Sequence, residues 1–278
     1  MTDDHRVREV FAQCLPGYRV ERVEALGEGQ DNVAFEVNGE VVVRFAKEPD
    51  PAETDREARL LAKVAEFSPL PVPVPVFSVT EVGCLAYRKV PGRQLLGLSG
   101  APAAEIGAVL GGYLAVLNAV PAERVADVVG VDDDPPSRWL AEAAELYVPA
   151  TVPAVHRGRI EEFLGAEPPP AFAELVFSHN DLGVEHVLVS ERGWTVTGVI
   201  DWTDAAFTDP AYDLGLLCRD LGPAGFEAAL SAYGSEEPRE RAVFLARCTV
   251  LEDLEYGLRT GERRYADNAL ASLEWLFC

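Results

Sequence analysis

Positive charge is what this sequence has least of relative to its size. Across 278 residues it carries 24 Lys and Arg against 46 Asp and Glu, a formal net charge of −22 and a pI near 4.5. Such a body repels nucleic acid and anionic membrane surfaces, both of which are bound through clustered Lys and Arg. A cationic partner would be drawn to it, and a well-solvated acidic surface reads the same way. Long apolar runs are also missing: none approaches the roughly 18–20 residues that cross a bilayer. The opening MTDDHRVREVF has acids where a secretory leader carries positive charge, so a cytoplasmic protein is expected. The five cysteines (Cys14, Cys84, Cys218, Cys248, Cys278) are odd in number, scattered and without a C-x-x-C pair, which argues against a disulfide framework or a zinc site. What is present is ordinary globular material, 48% hydrophobic and 25% charged, long enough for two lobes.

Periodicity divides the chain near Pro91-Gly92. Before it, an amphipathic helix around Arg6 to Leu15 precedes alternating apolar and polar residues from Tyr18 to Ala46, broken at Gly27-Glu28-Gly29 and at Asn38-Gly39. These read as antiparallel strands joined by tight turns, Asn-Gly being a hairpin signal. Pro51 to Glu66 has helical spacing, Pro69 to Pro75 an extended connection, and Val76 to Thr80 and Cys84 to Val90 strand character. Beyond the boundary, helices are expected over Pro102 to Val120, Ser137 to Tyr147, Val152 to Leu164, Ala211 to Leu221, Pro223 to Tyr233, Pro238 to Gly257 and Arg263 to Leu276. Short strands interrupt them near Leu175 to Ser178, Val187 to Val189 and Thr195 to Ile200. The reading is an α+β chain: residues 1–91 form a small antiparallel-sheet lobe with one main helix, and residues 92–278 a larger, mostly helical lobe.

The densest chemistry lies between His179 and Asp213, in SHNDLGVEHVLV and TGVIDWTDAAFTDPAYDL. Asp181 follows a strand in a tight polar loop, and Asp201 emerges at the end of a later strand. Two carboxylates at one hairpin end suit phosphoryl transfer: one orients an attacking hydroxyl and takes its proton, the other holds magnesium against triphosphate oxygens. An aspartate in a turn between strands is, taken singly, an ordinary turn residue, so the constellation and not one acid carries the reading. In the small lobe, Gly27-Glu28-Gly29-Gln30-Asp31-Asn32 can bring backbone amides to phosphates, or serve only as a turn.

These residues resemble the catalytic block of the aminoglycoside phosphotransferase family, relatives of the protein kinases that include macrolide phosphotransferases and choline-kinase-like enzymes. The family pattern is His-x-Asp, Asn five residues beyond that Asp, Ile-Asp-Trp or its equivalent, and Asp-Pro-x-x-Asp-Leu. The resemblance implies a two-lobed protein-kinase-like fold, Asp181 as catalytic base, His179 bracing the loop, Asp201 as the magnesium ligand and Asp213 as structural support. His186 stands where asparagine usually supplies a second metal ligand; macrolide phosphotransferases are similar there, and in the run Asp201-Trp202-Thr203-Asp204-Ala205. Imidazole suits hard magnesium poorly, so His186 either binds through water or leaves the ion mainly to Asp201. The family's basic residue on the third strand falls on Arg44, with Lys47 the alternative, and its helix partner on Glu57. A guanidinium can serve phosphate and carboxylate together. The resemblance further implies nucleotide contacts at Gly29, Gln30 and Asn32 and along the connecting run at Arg88 and Val90, with ATP or GTP as donor.

For the acceptor, Trp139, Asp204, Glu252, Asp253 and Tyr256 are candidates, together with the Asp132-Asp133-Asp134 run; solvated helix faces look alike. The whole reads as an O-phosphotransferase that uses a nucleoside triphosphate and magnesium on a hydroxyl of a small cationic antibiotic, an aminoglycoside first. A macrolide, a cationic peptide antibiotic, choline or an amino sugar are alternative acceptors, and a nucleotide-binding pseudokinase is an alternative of another class. A monomer or weak dimer is expected.

Overall fold

The computed structural model describes residues 3–29 and 31–278. The chain divides into two compact units, Met1–Pro91 and Gly92–Cys278.

In the first unit, α1 (Asp3–Cys14) precedes β1 (Val23–Glu28), β2 (Asn32–Val37) and β3 (Val41–Ala46); then come α2 (Pro51–Phe67), β4 (Val74–Val79) and β5 (Cys84–Arg88). The strands make one antiparallel sheet in the order β1-β2-β3-β5-β4. Asn38 and Gly39 both take positive φ, 55° and 76°, as the primed hairpin turn demands. The Asn38 side chain also accepts from the amides of Glu21 and Arg22, pinning the approach to β1. Pro75 can donate no ladder hydrogen bond, and it sits on the edge strand β4 beside a bulge. One face of α1 inserts Val7, Val10 and Phe11 against Phe35, Val43 and Phe45 of the sheet. Asp50 caps α2 by accepting from the amides of Ala52 and Glu53, and Pro51 occupies the first turn, where its missing N–H costs nothing.

In the second unit, β6 (Arg93–Gln94), α3 (Ala103–Asn118), β7 (Gly130–Val131), α4 (Pro136–Leu146) and α5 (Ala154–Leu164) lead to β8 (Val176–Ser178), β9 (Val187–Val189), β10 (Val196–Val199) and β11 (Ala206–Thr208). The chain then closes with α6 (Ala211–Tyr233), α7 (Arg239–Thr260) and α8 (Arg263–Leu276). Two small sheets, β10-β9-β6 and β7-β11-β8, are embedded among the helices. Helices α3 and α6 meet backbone to backbone: a Cβ at Gly107 would lie 2.1 Å from the Gly225 carbonyl oxygen, and one at Gly111 2.0 Å from that of Ala229. Helix α6 is two helical pieces broken at Gly222 (φ 67°, ψ −173°), just before Pro223, where the periodicity places a break.

Two expectations need correction. Helix α7 runs past Gly257 to Thr260 and stops at Gly261, whose φ is 81°; Gly257 instead lets α8 approach, since its Cβ would sit 2.4 Å from the Ala266 amide nitrogen. The strands β6, β7 and β11 were not expected. They are two or three residues long and exist through distant partners, so no local alternation marks them.

Candidate active site

The segment between β8 and β9 is a loop, and the backbone of its first half is held from beneath by one carboxylate. Asp213, in the first turn of α6 and fully buried, accepts from Ser178 Oγ (2.5 Å) and the Asn180 amide (3.0 Å) through Oδ2, and from the Leu182 amide (2.9 Å) through Oδ1. The positive end of a helix dipole favours an anion there. Amides on both sides of Asp181 are therefore fixed, while its own carboxylate keeps 37% of its surface open. Asn180 bends the chain with φ 62° and passes its side-chain N–H to Asp132 Oδ2 at 2.9 Å. Left-handed non-glycine residues of this kind concentrate at functional loops.

His179 is wholly buried against Trp202, ring centroids 4.7 Å apart, and its Nε2–H donates to the Ile200 carbonyl at 3.1 Å. Burial lowers its pKa, and Asp213 and Asp181 oppose that only in part, so the ring is neutral. Its hydrogen bond ties the start of the loop to the residue before Asp201. The Ile200 amide in turn donates to the His186 carbonyl at 3.0 Å, which puts His186 and Asp201 at the same end of the β9–β10 hairpin. Asp201 is exposed, has φ 62°, and accepts from Thr203 Oγ1 at 3.1 Å.

His186 Nε2 lies 3.0 Å from Asp181 Oδ2. Burial by itself would push its pKa down, but the hydrogen bond to Asp181 and the charges of Asp181, Glu185 and Asp201 raise it to about 9. At neutral pH and without a metal ion, His186 is a cation paired with Asp181. Glu185, which the sequence reading passed over, completes the group: one ligand atom each from Asp181, Glu185 and His186 lie within 4.8 Å of one another. An acid directly before His186 was the only signal of it.

Helices α4 and α7 flank an open cavity of about 240 Å³ lined by Trp139, Glu142, Glu145, Leu146, Cys248 and Glu252 among others, the three glutamates being exposed. Trp139 lies 4.9 Å from the Tyr212 ring. Desolvation pushes the Glu252 carboxyl up; Arg219 opposes this, and Asp181, Glu142 and Glu255 add to it. Trp139 and Glu252 thus share a cavity, and Glu142 and Glu145 join them from one side of α4; their three-residue spacing was the available sequence signal. Asp253 is not among the lining residues; its Oδ2 lies 3.0 Å from the buried Arg219 Nη1. Tyr256 packs edge-on against Tyr265 at 5.1 Å, and Asp204 is exposed on the turn between Trp202 and Ala205.

Within the first unit, the Arg44 guanidinium is paired with Glu57 of α2, both nearly covered by protein. Gly29 donates its amide to the Asn32 carbonyl at 2.9 Å, closing the turn between β1 and β2; Gln30 lies outside the described residues. Arg88 ends β5 exposed, and Val90, two residues on, is buried.

A five-stranded sheet unit with an Arg–Glu pair linking strand to helix, and a helical unit with a carboxylate-braced acid loop, define a protein-kinase-like phosphotransferase. Among such proteins, the chain belongs to the phosphotransferase enzyme family, whose model matches residues 22–244. Among solved structures, the GDP and kanamycin complex of APH(2")-IIIa shares the fold at a TM-score of 0.74 and 24% identity, covering 97% of each chain. Macrolide 2'-phosphotransferase MphH from Brachybacterium faecium is 26% identical with a TM-score of 0.66, covering 96% of this chain and 97% of that one. The uncharacterized protein YcbJ of Bacillus subtilis (strain 168) is 29% identical over 110 residues; the match spans 37% of this chain and only 35% of that relative's length. No helix among the described residues is long and apolar enough to cross a membrane.

Proposed function

We propose that the chain transfers the terminal phosphoryl group of ATP or GTP to a hydroxyl of a small cationic antibiotic, an aminoglycoside first. The observation that carries this is the cavity between α4 and α7, whose wall offers Trp139 and three glutamates, with Glu252 close enough to Asp181 to feel its charge. Ammonium groups of an acceptor would pair with Glu142, Glu145 and Glu252, and a ring would lie on Trp139, leaving a hydroxyl toward Asp181. Asp181 accepts the hydroxyl proton as the oxygen attacks the phosphorus in line, so no covalent enzyme intermediate is needed. Its half-open carboxylate on a rigidly held backbone suits that task.

In the first unit, Arg44 steadied by Glu57 would contact the triphosphate, the turn at Gly29 and Asn32 would present amides to it, and the backbone from Arg88 to Val90 would meet the base. The donor set of the second unit fits magnesium through carboxylate oxygen: exposed Asp201 would be the principal ligand, because His186 is committed as a donor to Asp181. When bound, the ion would neutralise charge on the phosphate oxygens.

One observation favours a macrolide as second reading. Next to the acidic cavity lies a groove of about 260 Å³ lined by Leu146, Val148, Val152, Leu251, Leu254 and Leu258 among others, and Leu146 is common to both. An acceptor with one amine and a broad apolar face would use the two together.

The test is a screen of aminoglycosides, macrolides, cationic peptide antibiotics and amino alcohols with both triphosphates, read by mass spectrometry for a phosphate gained by the acceptor. Asp181→Asn should lower turnover by about 100-fold or more while nucleotide binding persists. Asp201→Ala should remove magnesium-dependent nucleotide affinity. Triphosphate turnover without any phosphorylated acceptor, or a fully active Asp181→Asn enzyme, overturns the proposal.

A further inference from the structure

Asp213 holds only the first half of the loop that carries Asp181. The second half, Gly183 to His186, is held by a different group on the same helix. Asp220, with a side chain fully out of solvent, accepts from the Val184 amide at 3.1 Å through Oδ2. The same carboxylate receives Arg219 Nε at 2.7 Å and Asn268 Nδ2 at 3.0 Å on Oδ1, and Arg219 Nη2 at 3.0 Å on Oδ2.

Arg219, 4% exposed, then spreads its guanidinium over the elements around it. Nη1 lies 3.0 Å from Asp253 Oδ2 on α7, and Nη2 lies 3.9 Å from Glu185 Oε1 in the loop. Its backbone carbonyl accepts from Ser272 Oγ of α8 at 2.7 Å. One arginine and one aspartate of α6 thus join the loop, α7 and α8. Two buried carboxylates, Asp220 and Glu185, and the mostly covered Asp253 face that single cation, an arrangement costly for stability alone, where apolar side chains of similar volume often serve as well or better. Asp253 is the neighbour of Glu252, and Glu252 lines the cavity assigned to the acceptor.

We propose that Arg219 and Asp220 are positioning residues: they lock the segment bearing Glu185 and His186, and so the partner of Asp181, in register with the α7 wall that receives the acceptor. Binding against α7 is thereby transmitted to the geometry of the base through Asp253, Arg219 and Asp220. The inference rests on the catalytic reading of Asp181 given above. It also explains why Asp253 turns inward while Glu252 faces the cavity.

The experiment compares four variants of the full chain with the wild type. Asp220→Asn keeps the shape but loses an acceptor among four donors. Arg219→Lys keeps the charge but loses the fork, Asp253→Asn loosens only the α7 arm, and Asp181→Asn is the control for chemistry. Measured for each are kcat, acceptor KM, affinity for a non-hydrolysable triphosphate analogue, Tm, and amide hydrogen exchange at Val184 to His186. Asp220→Asn and Arg219→Lys should lower kcat by about 10- to 100-fold with analogue affinity unchanged and faster exchange in the loop. Asp253→Asn, the mildest change, should mainly raise acceptor KM, and it carries the test if the other two fail to fold. A fall in Tm with kcat and acceptor KM unmoved in all folded variants overturns the proposal, because that is the mark of a purely structural network. If Asp181→Asn is fully active, the catalytic reading itself fails; if Asp181→Asn is dead and the other three turn over normally, only the positioning role falls.

Discussion

His186 stands where the family pattern usually has asparagine, and its surroundings fix its charge. Facing Asp181, Glu185 and Asp201, it is raised from 6.5 to about 9 despite burial that works the other way. A group whose folded pKa lies above its unfolded value stabilises the fold fully below the unfolded pKa and loses that contribution as pH rises through the folded one. Without divalent cations, the Tm of the wild type should therefore decline between about pH 6.5 and pH 9, and His186→Asn should flatten that slope. Scanning calorimetry across that range decides it, and identical slopes for the two proteins would deny His186 its charge. At this scale the sequence told much and left a specific part out. The types and spacing of His179, Asp181, Asp201 and Asp213 picked out one loop and the hairpin end beside it, and the structure brings those residues together there. The pairing of His186 with Asp181 depends on a loop trace set by Asp213 and Asp220, from 31 to 36 residues away in the chain for the amides they hold, and no local pattern carries that.

Elements were readable wherever their own periodicity buried a face, as in α2, α8 and the β2–β3 hairpin, and unreadable where a partner made them. Strand β7 owes its existence to a parallel pairing with β11, more than 70 residues on, through Gly130 and Ala206. Glycine was the other ambiguity: the same residue that ends α7 at Gly261 keeps α7 close to α8 at Gly257. The contact of α3 with α6 is the strictest case, because Gly107 and Gly111 sit one helical turn apart and each faces a carbonyl oxygen. There is no space for a side chain at either site, and overpacking a helix contact typically costs about 1–3 kcal/mol. Gly111→Leu should exceed that range because backbone, not a side chain, must yield. Thermal unfolding should show a Tm several degrees lower, whereas Gly112→Ala, one residue along where a Cβ meets nothing within 4 Å, should leave Tm unchanged or raise it. Equal effects at the two glycines would refute the close approach.

For the molecule as a whole, the net charge of −22 would act with opposite sign on the two substrates proposed above. On the proposed reading, a polycationic acceptor would be attracted by the general field and by Glu142, Glu145 and Glu252 at the cavity, and a nucleoside triphosphate would be repelled until it met the guanidinium of Arg44. Salt shortens the reach of both effects, from about 10 Å at 0.1 M to about 3 Å at 1 M. With free magnesium held constant, raising sodium chloride from about 0.05 to 0.5 M should raise the KM of an aminoglycoside several-fold while leaving the nucleotide KM level or lower. Glu252→Gln should raise the acceptor KM at low salt and take away part of its salt dependence, because one of the three cavity charges is gone while the general field remains. Steady-state kinetics with each substrate varied in turn measures this directly. An acceptor KM indifferent to salt in the wild type would mean that the acid of this chain is only a solvated surface, and would shift the acceptor toward the apolar groove beside Leu146.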